Sequence, residues 1–175
     1  AQLSVSDILG VVGPIETGDA KLYVDGFIAG VQATNANAAV NSNWIGSFSD
    51  VALASEAAQT HISAGADVLT GTAQMVVGAI GVAEAEGALW FGTQSSQTSL
   101  APSVVVANQV YHWEVVLNEM LGLIDKGTLG GQSFELTLEN GGLEIEINGA
   151  YGLSADVKSA ADAAIDGIKD GSINP

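Results

Sequence analysis

Few side chains in this sequence can do chemistry near neutral pH. Cysteine is absent, and His61 and His112 are the 2 histidines. No thiol nucleophile, disulfide or cysteine-bound zinc is therefore open to the chain. His61 falls inside a helical pattern and reads as a half-exposed structural residue. His112 stands between Tyr111 and Trp113 at a helix start, within reach of a ligand. Neither a GxSxG elbow nor a Walker loop occurs. Gly13-Pro14-Ile15-Glu16 lacks the spacing of a dinucleotide loop. No histidine–carboxylate cluster suggests a metal. Glu144 and Glu146 share one strand face and read as solvated. The expectation is a protein without catalysis, cofactor or metal.

What the sequence does offer is flat aromatic surface. Phe48 sits in NWIGSFSD, between two serines, where a strand hands over to a helix. Tyr111 and Trp113 follow another strand. Aromatic faces beside amides and hydroxyls are how proteins hold a base or a sugar ring. The alternative is structural: Trp113 packs under its helix and Phe48 plugs the sheet.

The elements that must position these residues alternate regularly. Ile8–Gly13 is a short apolar run ended by Gly and Pro, so it reads as a buried strand. Ala20–Thr34 carries Leu22, Tyr23, Phe27, Ile28 and Val31 at helical spacing. Ala38–Ser47 reads as a second strand. Asp50 can cap the helix Val51–Ala64 through its carboxylate, and Gly65 can end it. A third strand, 66–70, precedes the turn 71–73 and the helix Gln74–Glu86. A fourth strand spans 88–92 and a fifth 104–107. A long helix over Gln109–Asp125 follows. Ser133–Thr137 and Leu143–Ile147 alternate like antiparallel or edge strands around the turn Asn140-Gly141-Gly142. Ser154 caps a last helix to about Lys169. Strand–helix alternation predicts an α/β fold: a doubly wound, mostly parallel sheet with helices on both faces. Ligands of such sheets bind outside the carboxyl ends of the strands. Phe48, Thr72, Gln94 and Asn108 are expected on that rim.

Charge excludes some partners. The chain of 175 residues has 20 acids against 4 lysines and no arginine, a formal charge of −16. Phosphate binding needs cations, so nucleic acid is excluded as a partner. An anionic membrane surface is disfavoured for the same reason. The self-repulsion calls for screening salt. It reads either as a solubilising surface or as adaptation to a salty habitat. Hydrophobic residues make up 47% of the chain, enough for a buried core. The longest apolar stretch, 75–83, is too short to span a bilayer. No basic leader opens the sequence, so any export signal or lipid anchor would lie upstream.

Four segments, in colinear order from Asp7 to Ile173, resemble the basic membrane protein (PnrA-like) family of ABC-transporter substrate-binding lipoproteins. Tyr23–Val31, YVDGFIAGV, is similar to its F-I-x-G-F-x-x-G-V helix. WIGSFSDVALASEAAQTHISAGADVLTGTA resembles its GSF-x-D and G-A-D-V-I segment. GALWFGTQSSQTSLAPSVVVANQVYHW and its continuation resemble the A-P and W-x-W segment. LSADVKSAADAAIDGIKDGSI resembles its terminal helix. The resemblance implies one lobe of a two-lobed type I periplasmic binding protein, beginning where the second lobe begins. It implies that Phe48 stacks on the ligand and that Thr72 lines the cleft. Gln94 falls where many members carry a ribose-binding Asp, and an amide holds hydroxyls less strongly than a carboxylate. Tyr111 and Trp113 match the W-x-W variant, with Tyr first. Asp50 belongs to the GSFSD segment and joins the ligand-binding candidates.

The resulting expectation divides the chain into a Rossmann-like ligand-binding lobe over 1–108, a crossover helix and strands over 109–150, and a C-terminal helix over 151–175 that packs back on the lobe. Residues 109–150 normally face the first lobe and are expected to lack their usual sheet here. The ligand is a small polar molecule such as a nucleoside, bound without chemistry. The partner is an ABC permease, and the location is extracytoplasmic. A self-associating lobe, dimeric through Gln109–Ala150, is the alternative. A small Rossmann-like enzyme is the third reading.

Overall fold

The computed structural model describes residues 1–174. Pro175, the end of the expected segment 151–175, lies outside the described residues. The strands are β1 (Ile8–Gly13), β2 (Ala39–Trp44), β3 (Val68–Gly71), β4 (Leu89–Gln94), β5 (Val105–Tyr111) and β6 (Leu143–Ile147). The helices are α1 (Gly18–Thr34), α2 (Val51–Ser63), α3 (Val76–Glu86), α4 (Trp113–Asp125) and α5 (Ala155–Lys169). One 6-stranded sheet runs in the order β2-β1-β3-β4-β5-β6. The first five strands in chain order are parallel, and β6 alone runs antiparallel, against β5. The expected α/β architecture is the observed one.

Local chemistry explains the helix boundaries. The Asp50 carboxylate accepts from Leu53 N at 3.0 Å and starts α2. The Ser154 hydroxyl accepts from Val157 N at 3.3 Å and starts α5. Gly87 ends α3 in the left-handed region, with φ 74°, which costs glycine nothing. The core lies on both sheet faces. On one face α2 and α3 pack small residues, Ala54, Ala58, Ala79 and Ala83, against Leu69, Met75, Ile80 and Trp90. On the other face Val31 and Phe27 of α1 meet Leu9 and Val68. α2 and α3 approach closely because Gly78 has no side chain. A Cβ there would strike Val51 O and Ser55 Oγ.

The structure revises several expectations. The strand β5 continues to Tyr111 and α4 starts at Trp113, so Gln109–Tyr111 is not helical. β6 is the reason. It pairs Gln109 with Ile145 and Tyr111 with Leu143, and His112 N donates to Gly142 O at 2.8 Å. Residues 109–111 and 143–147 therefore join the main sheet rather than lacking one. Ser133–Thr137 forms no strand. The Asn140 side chain accepts from Thr137 N at 2.9 Å and donates to Glu135 O at 2.8 Å, which folds the segment into its own turn. β2 stops at Trp44, before the left-handed Gly46. His61 is buried rather than half-exposed, at 4% exposure. It lies over Gly10, which leaves the room a side chain would fill. Its Nε2 donates to Val11 O at 3.1 Å, and burial lowers its pKa, so it is neutral. Asn108 is not on the rim. It is 1% exposed inside β5, where Oδ1 accepts from Gln97 N at 3.0 Å. Its Nδ2 donates to Glu146 Oε1 at 3.0 Å. Glu146 is thus engaged rather than simply solvated, and Ser96 also donates to it.

Two elements pack lightly. α4 buries only Val116, and leaves Trp113, Leu117, Met120, Leu121 and Ile124 exposed. α5 buries only Gly167. Among the described residues no helix is long and apolar enough to cross a membrane.

Candidate functional site

The carboxyl ends of β1 to β5 surround a cleft of about 510 Å3. Phe48, Thr72, Gln94, Tyr111 and Trp113 all line it. The sequence scattered them over five segments, and the sheet order brings them together. Asp50 does not line the cleft. Its carboxylate is turned onto the first turn of α2, where Leu53 N holds it, so the expected ligand role gives way to the capping role.

Phe48 projects because the serine before it folds the loop. Ser47 Oγ accepts from Ser49 N at 3.2 Å and from Asp50 N at 3.1 Å. Phe48 O accepts from Met75 N at 3.1 Å, which anchors the loop to the start of α3. The ring remains 48% exposed, so Phe48 does not plug the sheet. Trp113 is 56% exposed and does not pack under its helix. Its ring meets Tyr111 edge-on, with centroids 5.9 Å apart and planes at 76°. The pair forms a corner with two flat walls.

Thr72 is 3% exposed, yet it lines the cleft floor. Among the described residues its hydroxyl has no hydrogen-bond partner, so it is free to meet a ligand. The backbone beside it is strained. Ala73 and Gln94 have φ of 77° and 75°, the left-handed region that costs a side-chain residue about 1–2 kcal/mol. Such strain clusters at functional sites. Replacing exposed Gln94 by glycine should raise folding stability by about 0.5–1 kcal/mol and weaken ligand binding. Paired denaturation and binding titrations check the two opposite signs. A Gln94→Gly chain no more stable than the parent would remove the strain from the account.

The residues missed by the sequence reading include Pro14 and Thr17, on the loop after β1, and Gly18 and Asp19, which open α1. The rule that flagged the other strand ends applied to this loop too. Asp19 stands in the first turn of α1, which has no side-chain cap, and the helix dipole favours a carboxylate there.

His112 sits behind the aromatic corner. Its Nε2 lies 2.9 Å from Glu144 Oε2 and its Nδ1 lies 3.1 Å from Glu114 Oε1. Both acceptors are carboxylates, so the arrangement favours the imidazolium, in which both nitrogens donate. The Glu144 bond is the largest cause of its raised pKa, and Glu114 adds to it. The contribution to stability is present below the unfolded value of about 6.5 and is lost as pH rises through the folded value. NMR titration should give His112 a higher midpoint than a free histidine, and Glu144→Gln should lower it. A midpoint unchanged by Glu144→Gln would refute the bridge. Among the described residues no group of three or more His, Asp or Glu could hold a metal ion.

Residues 1–172 match the family described as ABC transporter substrate-binding protein, PnrA-like. The chain belongs to that family. This PnrA-like chain is 25% identical, over 175 residues, to a purine-binding protein of Brucella abortus, covering 100% of the chain and 49% of the relative. It is 27% identical over 147 residues to basic membrane protein D of Borreliella burgdorferi, covering 80% of the chain and 42% of the relative. The chain spans about half the length of the curated relatives it matches. Its fold is that of an ABC transporter solute-binding protein from Conexibacter woesei, with TM-score 0.77 and 22% identity over 98% of this chain and 57% of that one.

Proposed function

We propose that this chain is the ligand-binding lobe of an ABC-transporter substrate-binding protein and holds a small, polar, ring-containing ligand of nucleoside type without chemistry. The convergence of Phe48, Thr72, Gln94, Tyr111 and Trp113 on one cleft carries this reading. Phe48 and Trp113 supply flat faces, and Thr72, Gln94 and Tyr111 supply hydrogen bonds. The purine-binding relative supports the ligand class. The six-stranded sheet forms the lobe body, and the part of 109–150 outside it, α4 above all, faces a second lobe. Closure of the two lobes signals to a permease on the extracytoplasmic side.

A thermal-shift screen against nucleosides, free bases and sugars, in low and high salt, tests the proposal. A shift with one ring-containing class, lost in Trp113→Ala, supports it. No shift with any class, in a chain that light scattering shows to be folded and monomeric, overturns recognition by this lobe alone. The exposed apolar side of α4 favours a second reading, a dimer through that face. A stable dimer that Leu117→Glu dissociates would support it.

A further inference from the structure

The charge of the ligand follows from what surrounds the aromatic corner. The rim cleft adjoins a cavity of about 680 Å3 beside α1 and the 134–143 segment. Asp19, Tyr111 and Trp113 line both spaces, so they stand at the junction. No lysine or histidine lines either one, among the described residues, whereas Glu135 adds a second carboxylate. Lys21, on the same helix, is turned away into pairs with Asp25 at 2.9 Å and Glu16 at 3.9 Å. Asp19 makes no ion pair or side-chain hydrogen bond among the described residues. The helix dipole accounts for a carboxylate at this position, but it leaves both oxygens free.

We infer that the Asp19–Tyr111–Trp113 corner takes a cationic group of the ligand. The inference rests on the cleft being a ligand site, as proposed above. Aromatic faces carry negative potential and attract ammonium or guanidinium groups. A free carboxylate beside two such faces adds a full charge, and the acidic field of the chain adds attraction at longer range. The same carboxylates disfavour an anionic ligand group at this corner, where no lysine or histidine lines the cleft among the described residues. The corner favours a ligand whose ring carries an ammonium or other protonated group.

Three probes with one ring and different charge test this: benzyltrimethylammonium, benzyl alcohol and benzoate. Binding is read by tryptophan fluorescence and by ligand-observed NMR, at high salt to screen bulk attraction. The ammonium probe should bind roughly threefold to thirtyfold tighter than the alcohol, and benzoate should bind least. Asp19→Asn should bring the ammonium probe to the level of the alcohol and leave the alcohol unchanged. Glu56→Gln, which removes the same charge from an exposed site on α2, should change neither. Equal binding of the ammonium and the alcohol would overturn the charge selection alone. An equal loss in Glu56→Gln would overturn it too, by tracing the preference to net charge. If none of the probes bound, the ring-binding cleft itself would fall, and this inference with it.

Discussion

Replacing Trp90 by alanine is expected to cost about 4 kcal/mol of folding stability. Trp90 is among the largest fully buried side chains, at 0% exposure, and lies in the cluster between the sheet and the α2–α3 layer. Truncation removes apolar contact and leaves a void that a close-packed interior only partly fills. It also removes a donor. Trp90 Nε1 donates to Gln97 Oε1 at 2.8 Å, and Gln97 is 8% exposed. An orphaned buried acceptor costs about 1–3 kcal/mol on its own. Gln97 Nε2 in turn donates to Thr93 O at 3.1 Å, so the network supports the segment that ends in Gln94. Urea denaturation of Trp90→Ala and Trp90→Phe separates the two terms, since Phe keeps much of the volume and loses the donor. A loss below about 2 kcal/mol in Trp90→Ala would mean that the surrounding helices close over the site, outside the range of buried Trp→Ala substitutions.

Phe48→Ala should weaken binding of a nucleoside-type ligand by roughly fivefold to a hundredfold and leave folding nearly unchanged. Stacking of a base on an aromatic side chain contributes about 1–3 kcal/mol, and each 1.4 kcal/mol is about tenfold. Folding is spared because the ring is half out in solvent, and the Ser47 turn and the Met75 contact hold the loop through Ser47 Oγ and Phe48 O. Phe48→Leu tests the cause. It restores apolar area without a π face, so it should recover only part of the affinity. Titration calorimetry of the three chains reads the effect. Equal affinity in Phe48→Ala and the parent would remove Phe48 from the site.

The fold was legible wherever a local signal matched the global one. Asp50 and Ser154 announced helix starts, Gly65 announced an end, and apolar runs bounded by Gly marked β1, β3 and β4. Reading failed where the partner is distant in sequence. Gln109-Val110-Tyr111 alternates weakly and abuts a helical stripe, and only pairing with β6 makes it strand. Ser133–Thr137 alternates well and has no strand beside it. His61 looked half-exposed because the space it fills is created by Gly10, a residue 51 positions earlier. In the site, strand-end logic found Phe48, Thr72 and Gln94, and it misplaced Asn108 because β5 extends past it. The first β–α loop was weighed only as a dinucleotide loop and set aside for its spacing, so Pro14, Thr17 and the start of α1 were not placed on the rim. Asp50 could not serve the cap and the ligand together, and the nearer backbone amide holds it.

The light packing of α4 carries a consequence for motion. Amide hydrogen exchange should be graded across the molecule, slowest in β1 and β3, whose side chains are almost all buried, and far faster in α4. The wall that carries Trp113 can then open sub-globally while the sheet below stays intact. If the cleft is the ligand site proposed above, ligand should raise the protection of the amides around 113–125 more than that of β1 and β3.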